Sequence, residues 1–419
     1  METVTTKISV DNILAAAESL EDVVIRTPLL PNPILSERFG AHIQLKREDL
    51  QVVRSYKIRG AFHKINSLSE DLLKNGVVCA SAGNHAQGVA LACFRKKIQG
   101  TIYMPSPTPS QKVNQVKMFG KDFVNVVLTG DTFDDAFEEA KLFSERNKAA
   151  FIAPFDDIKI IEGQATVGKE ILEDSPEFID YLILPIGGGG LAAGVSSYFS
   201  VLSPKTKIIG VEPAGAPAMK ASLERGEVVT LDKIDKFVDG AAVKRAGELT
   251  FEICRDNLEK VIAVSEGQVC SEILSLYNEQ AIVVEPAGAL SLAGLNELKG
   301  EIAGKNVVCV VSGSNNDITR TAEIKERSLL HEGLKHYFII NFPQRAGALR
   351  EFLIDVLGPN DDIAHFEYSK KNSRERGPAL IGIELQDKYD LPGLMDRMQH
   401  HKFRYEYVND QPDLFHYLI

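Results

Sequence analysis

Val77-Val78-Cys79-Ala80-Ser81-Ala82-Gly83-Asn84-His85-Ala86-Gln87-Gly88 reads as a strand, a turn of small residues and the start of a helix. The apolar run Val77 to Ala80 has the length of a buried strand. Beyond the turn, Ala86, Val89, Ala90 and Cys93 recur at helical spacing. A strand delivered through small residues to a helix N-terminus makes a natural anion site, because the first helical N–H groups lack internal partners. The plainer reading of the same residues is a helix cap beside a surface histidine.

The same order repeats on both sides of this stretch. Toward the C-terminus come a strand Thr101 to Met104, a helix Lys112 to Phe119 and a strand Val124 to Leu128. An acidic helix Thr132 to Arg146 and a strand Phe151 to Ala153 follow, ending in Pro154-Phe155-Asp156-Asp157. Toward the N-terminus, Asp11 to Leu20 reads as a helix with Asp11 as N-cap and Ile13, Leu14, Ala17 and Leu20 on one face. Ala41 to Lys46 is a strand. Strands alternating with helices imply βαβ units and parallel sheets, an α/β protein.

The strand Tyr181 to Pro185 runs into Gly187-Gly188-Gly189-Gly190-Leu191 and a helix through Tyr198. Glycines let backbone N–H groups wrap a phosphate without Cβ interference. A flexible turn is a poor alternative for a loop joining a buried strand to a helix. Gly187, Gly189 and Ala192 also fit a relaxed dinucleotide pattern, and Glu212 ends the next strand, Lys207 to Val211, where a ribose-binding acid would fall. Asn306 to Val311 is a further strand, stopping at Ser312-Gly313-Ser314-Asn315-Asn316. Small hydroxyls at that end lie where open α/β sheets place ligands, or else cap a helix.

Upstream lies Arg54-Ser55-Tyr56-Lys57-Ile58-Arg59-Gly60-Ala61. Neighbouring cations and desolvation both disfavour a protonated lysine. An amine kept partly neutral can attack a carbonyl. The ordinary alternative is a solvated charge in a basic patch.

From about Leu330 the pattern changes to β-α-β-β-α-β, the ferredoxin-like order. The strands and helices are His336 to Asn341, Ala348 to Leu357, Ile363 to Tyr368, Ala379 to Leu385, Leu391 to Gln399 and Phe403 to Tyr407. This organisation predicts a body over residues 1–330, with a small subdomain at about 51–150 inserted in a larger one, and a C-terminal domain over 331–419. The strand-to-helix turn Asn341 to Leu349 contains Gly347, and its helix N-terminus could receive a carboxylate.

Composition limits the function classes. The chain of 419 residues is 44% hydrophobic and 25% charged, ordinary for a globular protein. A formal charge of -11 argues against nucleic acid as a partner. The five scattered cysteines form no C-x-x-C pair, so we expect reduced, mostly buried thiols and no metal site of that kind. Met1 to Val10 lacks an apolar signal core and no apolar run reaches membrane-span length, which favours a cytoplasmic protein with no membrane partner.

RSYKIRGA, SAGNHAQGVA, GGGGL, VEP, EPAGA and SGSNN, in this order, resemble the threonine dehydratases. These are pyridoxal-phosphate enzymes of fold type II, the tryptophan-synthase-β fold. The resemblance covers most of Arg26 to Asp317, and the tail resembles a single ACT-like regulatory module. It implies two open parallel sheets and an appended α+β domain. It also implies pyridoxal 5'-phosphate as cofactor, L-threonine or L-serine as substrate, isoleucine as effector and a homotetramer. By position, Lys57 would carry the cofactor as a Schiff base and take the substrate's α-proton. Asn84 would hydrogen-bond the cofactor's 3′ oxygen, and Gly187, Gly188, Gly189, Gly190 and Leu191 would cradle its phosphate. Ser312 would meet the pyridine nitrogen and Phe155 would lie near the ring. Ser81, Ala82, Gly83, Asn84 and His85 would bind the substrate carboxylate.

Two residues depart from relatives. Serine racemases carry a serine where Ala82 stands, as a second proton-transfer group. Some relatives bind a divalent cation with the acid of VEP and another acid six residues later; here Glu212 is followed by Ala218, so no metal is expected. The competing expectations are a catabolic serine/threonine dehydratase, a nicotinamide-dependent oxidoreductase using Gly187 to Ala192 with Glu212, and an amino-acid sensor with an inactive body. Neither of the last two needs Lys57 in its motif.

Overall fold

The computed structural model describes residues 8–368 and 376–411. Part of the Met1 to Val10 reading, and parts of the C-terminal domain expected over 331–419, therefore lie outside the described residues. The chain divides into two compact units, Met1–Asp317 and Ile318–Ile419. This division falls earlier than Leu330. The reason is local: Glu326, on the helix Thr321–His331, accepts from Lys335 Nζ at 2.6 Å and from the Tyr337 hydroxyl at 2.7 Å. The helix thereby groups with the strand that follows it.

The strands of the first unit are β1 (Leu29–Pro31), β2 (His42–Arg47), β3 (Val77–Ala80), β4 (Gly100–Met104), β5 (Val124–Leu128), β6 (Ala150–Phe151), β7 (Tyr181–Pro185), β8 (Lys207–Pro213), β9 (Lys260–Val264) and β10 (Asn306–Val311). They form two sheets, ordered β1-β2-β10-β7-β8-β9 and β5-β4-β3-β6. Every pairing is parallel except β1 with β2, an antiparallel edge. The central strands β3 and β7 are buried at every residue, which is why they read as continuous apolar runs rather than alternating ones. Sheet order reverses at β7: β8 follows on one side and β10 lies on the other. The loops after β7 and β10 therefore open side by side at a switch point, where α/β sheets bind ligands.

The second unit contains β11 (Lys335–Pro343), β12 (Asp362–Tyr368), β13 (Arg376–Glu384) and β14 (Arg404–Tyr407). Their order, β12-β13-β11-β14, is antiparallel throughout. The core beneath them holds Phe338, Ile340, Phe352, Ile381, Leu394 and Met398. The expected helix Ala348 to Leu357 is α-helical only over Ala348–Glu351 and continues as a π-helical turn, Phe352–Val356.

Several local expectations are corrected. The first helix is Val10–Ser19, capped by Ser9, whose hydroxyl accepts from Asn12 N. Asp11 is inside the helix, and Leu14 is exposed while Ile13 and Ala16 face the core. The strand expected to reach Ala153 pairs only at Ala150 and Phe151. The helix Ile158–Asp174 escaped the pattern reading because Ile160 to Gly168 are all buried, leaving no apolar stripe to detect. The five cysteines are free and buried, as expected. Among the described residues no helix is long and apolar enough to cross a membrane.

Candidate active site

Lys57 opens the helix Lys57–Asn66. The helix Asn84–Lys96 crosses close to it at Gly88, where an added Cβ would meet Lys57 C and O at 3.1 Å. On its other side, the helix Lys57–Asn66 touches Ile158–Asp174 through Gly60 and Gly163. A Cβ at Gly60 would lie 2.7 Å from Ile160 O, and one at Gly163 2.6 Å from Arg59 O. Glycine is required at these three positions because backbone meets backbone.

Lys57 is half-buried, and its Nζ donates to Pro154 O at 2.9 Å. Burial lowers its pKa to about 8, with Glu285 pulling the other way. The flanking arginines do not cause this shift, contrary to the expectation. Arg54 is exposed. Arg59 is fully buried and neutralised by Glu48, at 2.8 Å, and Glu170, at 2.7 Å; Lys46 joins the same network through Glu170. Arg59 anchors the helix, and desolvation tunes the lysine.

The turn after Pro154 reaches the glycine loop. The ring of Phe155 lies where a Cβ on Gly188 would be, 2.3 Å from that position. The loop is pinned from behind: the Thr250 hydroxyl donates to Gly188 O at 2.6 Å, and Gly189 has φ +93°. Gly190 then starts the helix Gly190–Leu202, which has no side-chain cap. Gly187 to Leu191 thus present a narrow backbone cradle with uncapped N–H groups, the arrangement that takes a phosphate. Lys57 and this cradle are joined through adjacent residues, Pro154 and Phe155.

The residues after β10 run along the lysine loop. Tyr56 N donates to Ser312 O at 3.2 Å, and Ser314 N to Arg54 O at 2.9 Å. The buried Ser312 donates its hydroxyl to Ala287 O at 3.2 Å. Asn315 donates through Nδ2 to Val53 O, at 2.9 Å, and to Asn84 Oδ1, at 2.6 Å. Asn84 Nδ2 donates to Glu285 Oε1 at 2.5 Å.

Ser81 to Asn84 form a half-buried turn at the N-terminus of Asn84–Lys96, and the Ser81 hydroxyl accepts from Gly83 N at 3.2 Å. Nothing lies within 4 Å of a Cβ placed on Gly83, so this turn borders open space. The Ala82 methyl carries no exchangeable proton. His85 is turned inward: its Nε2 donates to Ile152 O at 2.9 Å, and burial lowers its pKa to about 3. Lys57, Asn84, Phe155, the glycine loop and Ser312 are therefore linked into one region, while the His85 ring points into the fold.

Glu212, read as a candidate ribose-binding acid, is fully buried. Its carboxylate accepts from Met219 N and Lys220 N, each at 2.8 Å, capping the helix Ala218–Arg225. Burial raises its pKa to about 8. Both oxygens serve the protein's own backbone, which removes the residue that the nicotinamide reading needed. Two site residues received no role from sequence, Glu285 and Asn315. Both lay inside the quoted motifs EPAGA and SGSNN; their partner, Asn84, is remote in sequence.

A phosphorylated aldehyde fits these residues. The cradle suits an anion, the lysine amine has a depressed pKa, and the buried Ser55 hydroxyl and Asn315 Oδ1 have no partner among the described residues. Comparison with known proteins agrees. The sequence profile of the family described as pyridoxal-phosphate dependent enzyme matches residues 20–313. That of the C-terminal regulatory domain of threonine dehydratase matches residues 326–418. The chain is similar to the L-threonine dehydratase biosynthetic IlvA of Halalkalibacterium halodurans, 59% identical over 99% of this chain and 100% of that protein. It is 58% identical to the protein of the same name from Bacillus subtilis, over 98% of each. The solved structure of processed threonine deaminase isoform 2 from Solanum lycopersicum superimposes with a TM-score of 0.72. That match has 39% identity and covers 77% of this chain and 95% of that one.

Proposed function

The chain belongs to the pyridoxal-phosphate dependent enzymes and carries the C-terminal regulatory domain of threonine dehydratase, and from this we propose that it deaminates L-threonine to 2-oxobutanoate and ammonia. The observation that carries the reading is the half-buried Lys57, with its pKa near 8, joined through Pro154 and Phe155 to an uncapped glycine cradle. When bound, pyridoxal phosphate supplies an aldehyde for amine attachment and a ring that draws electron density from the substrate's α-carbon.

The chain's own groups have separable tasks. The N–H groups of Gly187 to Leu191 would bind the phosphate. The Lys57 amine, neutral in a useful fraction near pH 8, takes the α-proton at Nζ. Asn84 would donate its remaining N–H to the cofactor's 3′ oxygen. Ser312 would offer the ring nitrogen a hydroxyl rather than a carboxylate, which would leave the bound ring a weaker electron sink and suit elimination of the β-hydroxyl, with a proton, as water. Phe155, which packs against Gly188, would lie beside the ring and exclude water. The turn Ser81 to His85 receives the substrate carboxylate, chiefly through backbone N–H groups. L-serine, one methyl smaller, is a second substrate.

The reaction is the first step of isoleucine biosynthesis, and isoleucine is the effector. Supporting this, the second unit has a pocket of about 240 Å3 bordered by Phe342, Arg345, Gly347, Leu349, Phe366 and Tyr368, whose apolar walls suit an aliphatic side chain, with Arg345 held by Glu351. We further assign catalysis to the first unit, with its small subdomain at about 51–150, and regulation to the second, in a cytoplasmic homotetramer. Buried, free cysteines suit that compartment.

The test is release of 2-oxo acid from L-threonine and L-serine, with and without isoleucine. Threonine turnover that is lost in Lys57→Ala, and a threonine response shifted by isoleucine, are expected. Turnover retained in Lys57→Ala without added amine refutes the assignment. An unchanged threonine response at saturating isoleucine refutes the regulatory part.

A further inference from the structure

Asn84 is the middle of a polarised chain. Val53 O accepts from Asn315 Nδ2, which also donates to Asn84 Oδ1. Asn84 Nδ2 then donates to Glu285 Oε1. An amide has two N–H donors and one oxygen. The oxygen is taken and one N–H is taken, so one N–H is left.

A 180° turn of this amide would set its oxygen against the Glu285 carboxylate and its N–H groups against those of Asn315. The ionised acid, which can only accept, forbids that turn. A protonated acid can donate, and the constraint is relaxed.

We propose that Glu285 is a positioning residue: its carboxylate, acting through Asn84, fixes the amide so that its remaining N–H is directed to the cofactor. The proposal rests on the reading of this site as a pyridoxal-phosphate site. The geometry has independent support. Glu285 is buried at the N-terminus of the helix Pro286–Ala293, its own N–H donates to Gly313 O at 3.2 Å, and a Cβ on Gly240 would lie 3.6 Å from its Oε1.

The charged and titratable groups around it come from three other parts of the fold. Lys57 and Tyr56 belong to the lysine segment. Asp239 precedes Gly240. Lys112, on the helix Ser110–Gly120, is paired with Asp239 at 2.5 Å. Burial first, then Asp239, raises the Glu285 pKa to about 7, against the opposing hydrogen bond from Asn84 and the charge of Lys112. A pKa near 7 places its change of state inside the interval from about pH 6 to about pH 8.

The experiment measures pyridoxal-phosphate affinity of the full-length apo-protein by equilibrium dialysis from about pH 6 to about pH 8. Glu285→Gln keeps the shape and an acceptor but no longer ionises. The ratio of its dissociation constant to wild type should rise from about one at the acid end to about tenfold at the alkaline end, the scale of one charge-assisted hydrogen bond. In an Asn84→Ala background, Glu285→Gln should produce no pH-dependent change, because the two residues act as one unit. A ratio that stays constant across the range overturns the proposal, as does a pH-dependent effect that persists without Asn84. If Glu285→Gln fails to fold, the wild type to Asn84→Ala comparison carries the same test, and its ratio must rise likewise. Failure of the wild type to bind pyridoxal phosphate at all refutes the functional reading instead.

Discussion

Gly188→Ala tests the cradle most directly. The added Cβ would sit 2.3 Å from three ring carbons of Phe155, where carbon atoms prefer about 3.5–4.0 Å. Something must move by about 1.2 Å. The neighbours leave little freedom. Thr250 holds the Gly188 carbonyl, and Asp156, next to Phe155, caps the helix Glu248–Asn257 through Leu249 N and Thr250 N. The loop or the ring must therefore shift into the site. Overpacking of this kind costs about 1–3 kcal/mol. Applied to the cofactor-bound state, that is about a 5- to 150-fold loss of cofactor affinity. Equilibrium dialysis of the apo-protein measures the loss, with far-UV circular dichroism to establish that the variant is folded. In a double-mutant cycle, adding Gly188→Ala to Phe155→Ala should cost almost nothing further, because the clashing ring is gone. Gly300→Ala, where a Cβ meets nothing within 4 Å, is the neutral control. Affinity within twofold of wild type in Gly188→Ala, or the same penalty with and without the Phe155 ring, would refute the reasoning.

Capture of cofactor by the apo-protein should accelerate about tenfold per unit as pH rises toward about 8 and level off above it, because the neutral Lys57 amine is the reacting form and its pKa is depressed to about 8. Stopped-flow absorbance checks this; a profile still rising steeply to about pH 10 would place the amine in a solvated environment. The same shift makes Lys57 favour the folded state increasingly from pH 8 toward its unfolded value, since the unfolded chain binds more protons there. Arg59→Met leaves Glu48 and Glu170 buried without their guanidinium and should destabilise the fold by about 3–5 kcal/mol in urea titration; a loss below about 1 kcal/mol would show the network to be solvated. Elimination should outrun racemisation, because Ala82 cannot return a proton to the opposite face of the substrate; chiral chromatography showing D-serine as a major product from L-serine would contradict that role for position 82.

Much of the chain could be read from local chemistry. Strands β3 and β7 announce themselves as short apolar runs, and the glycines after β7 require a close backbone approach that any reader of the sequence can infer. The order β-α-β-β-α-β identifies the second unit without reference to the first. Lys57 stands out less by itself, since a solvated charge in a basic patch would explain its motif, than by the glycine-rich loops that accompany it in the chain. These signals lie within a few residues of one another, so sequence carries them whole.

What only the tertiary structure decided depends on residues far apart. Asn84 and Glu285 are separated by 201 positions and Asn84 and Asn315 by 231, yet they form one hydrogen-bonded chain. Nothing in the residues around Glu285 says that its partner is Asn84, because the pairing arises when β10 and the helix Pro286–Ala293 are brought beside the turn after β3. The lysine shows the same division. Sequence offered two causes for a depressed pKa, desolvation and the neighbouring Arg54 and Arg59, and could not choose between them. In the folded protein Arg59 turns away to Glu48 and Glu170, and burial supplies the shift. Glu212 likewise spends both oxygens on the next helix rather than on a ligand. Residue type and spacing determined which chemistry this chain carries. Burial and long-range pairing determined which groups are free to perform it, because desolvation and hydrogen-bond satisfaction are properties of the packed interior and not of the neighbouring residues in sequence.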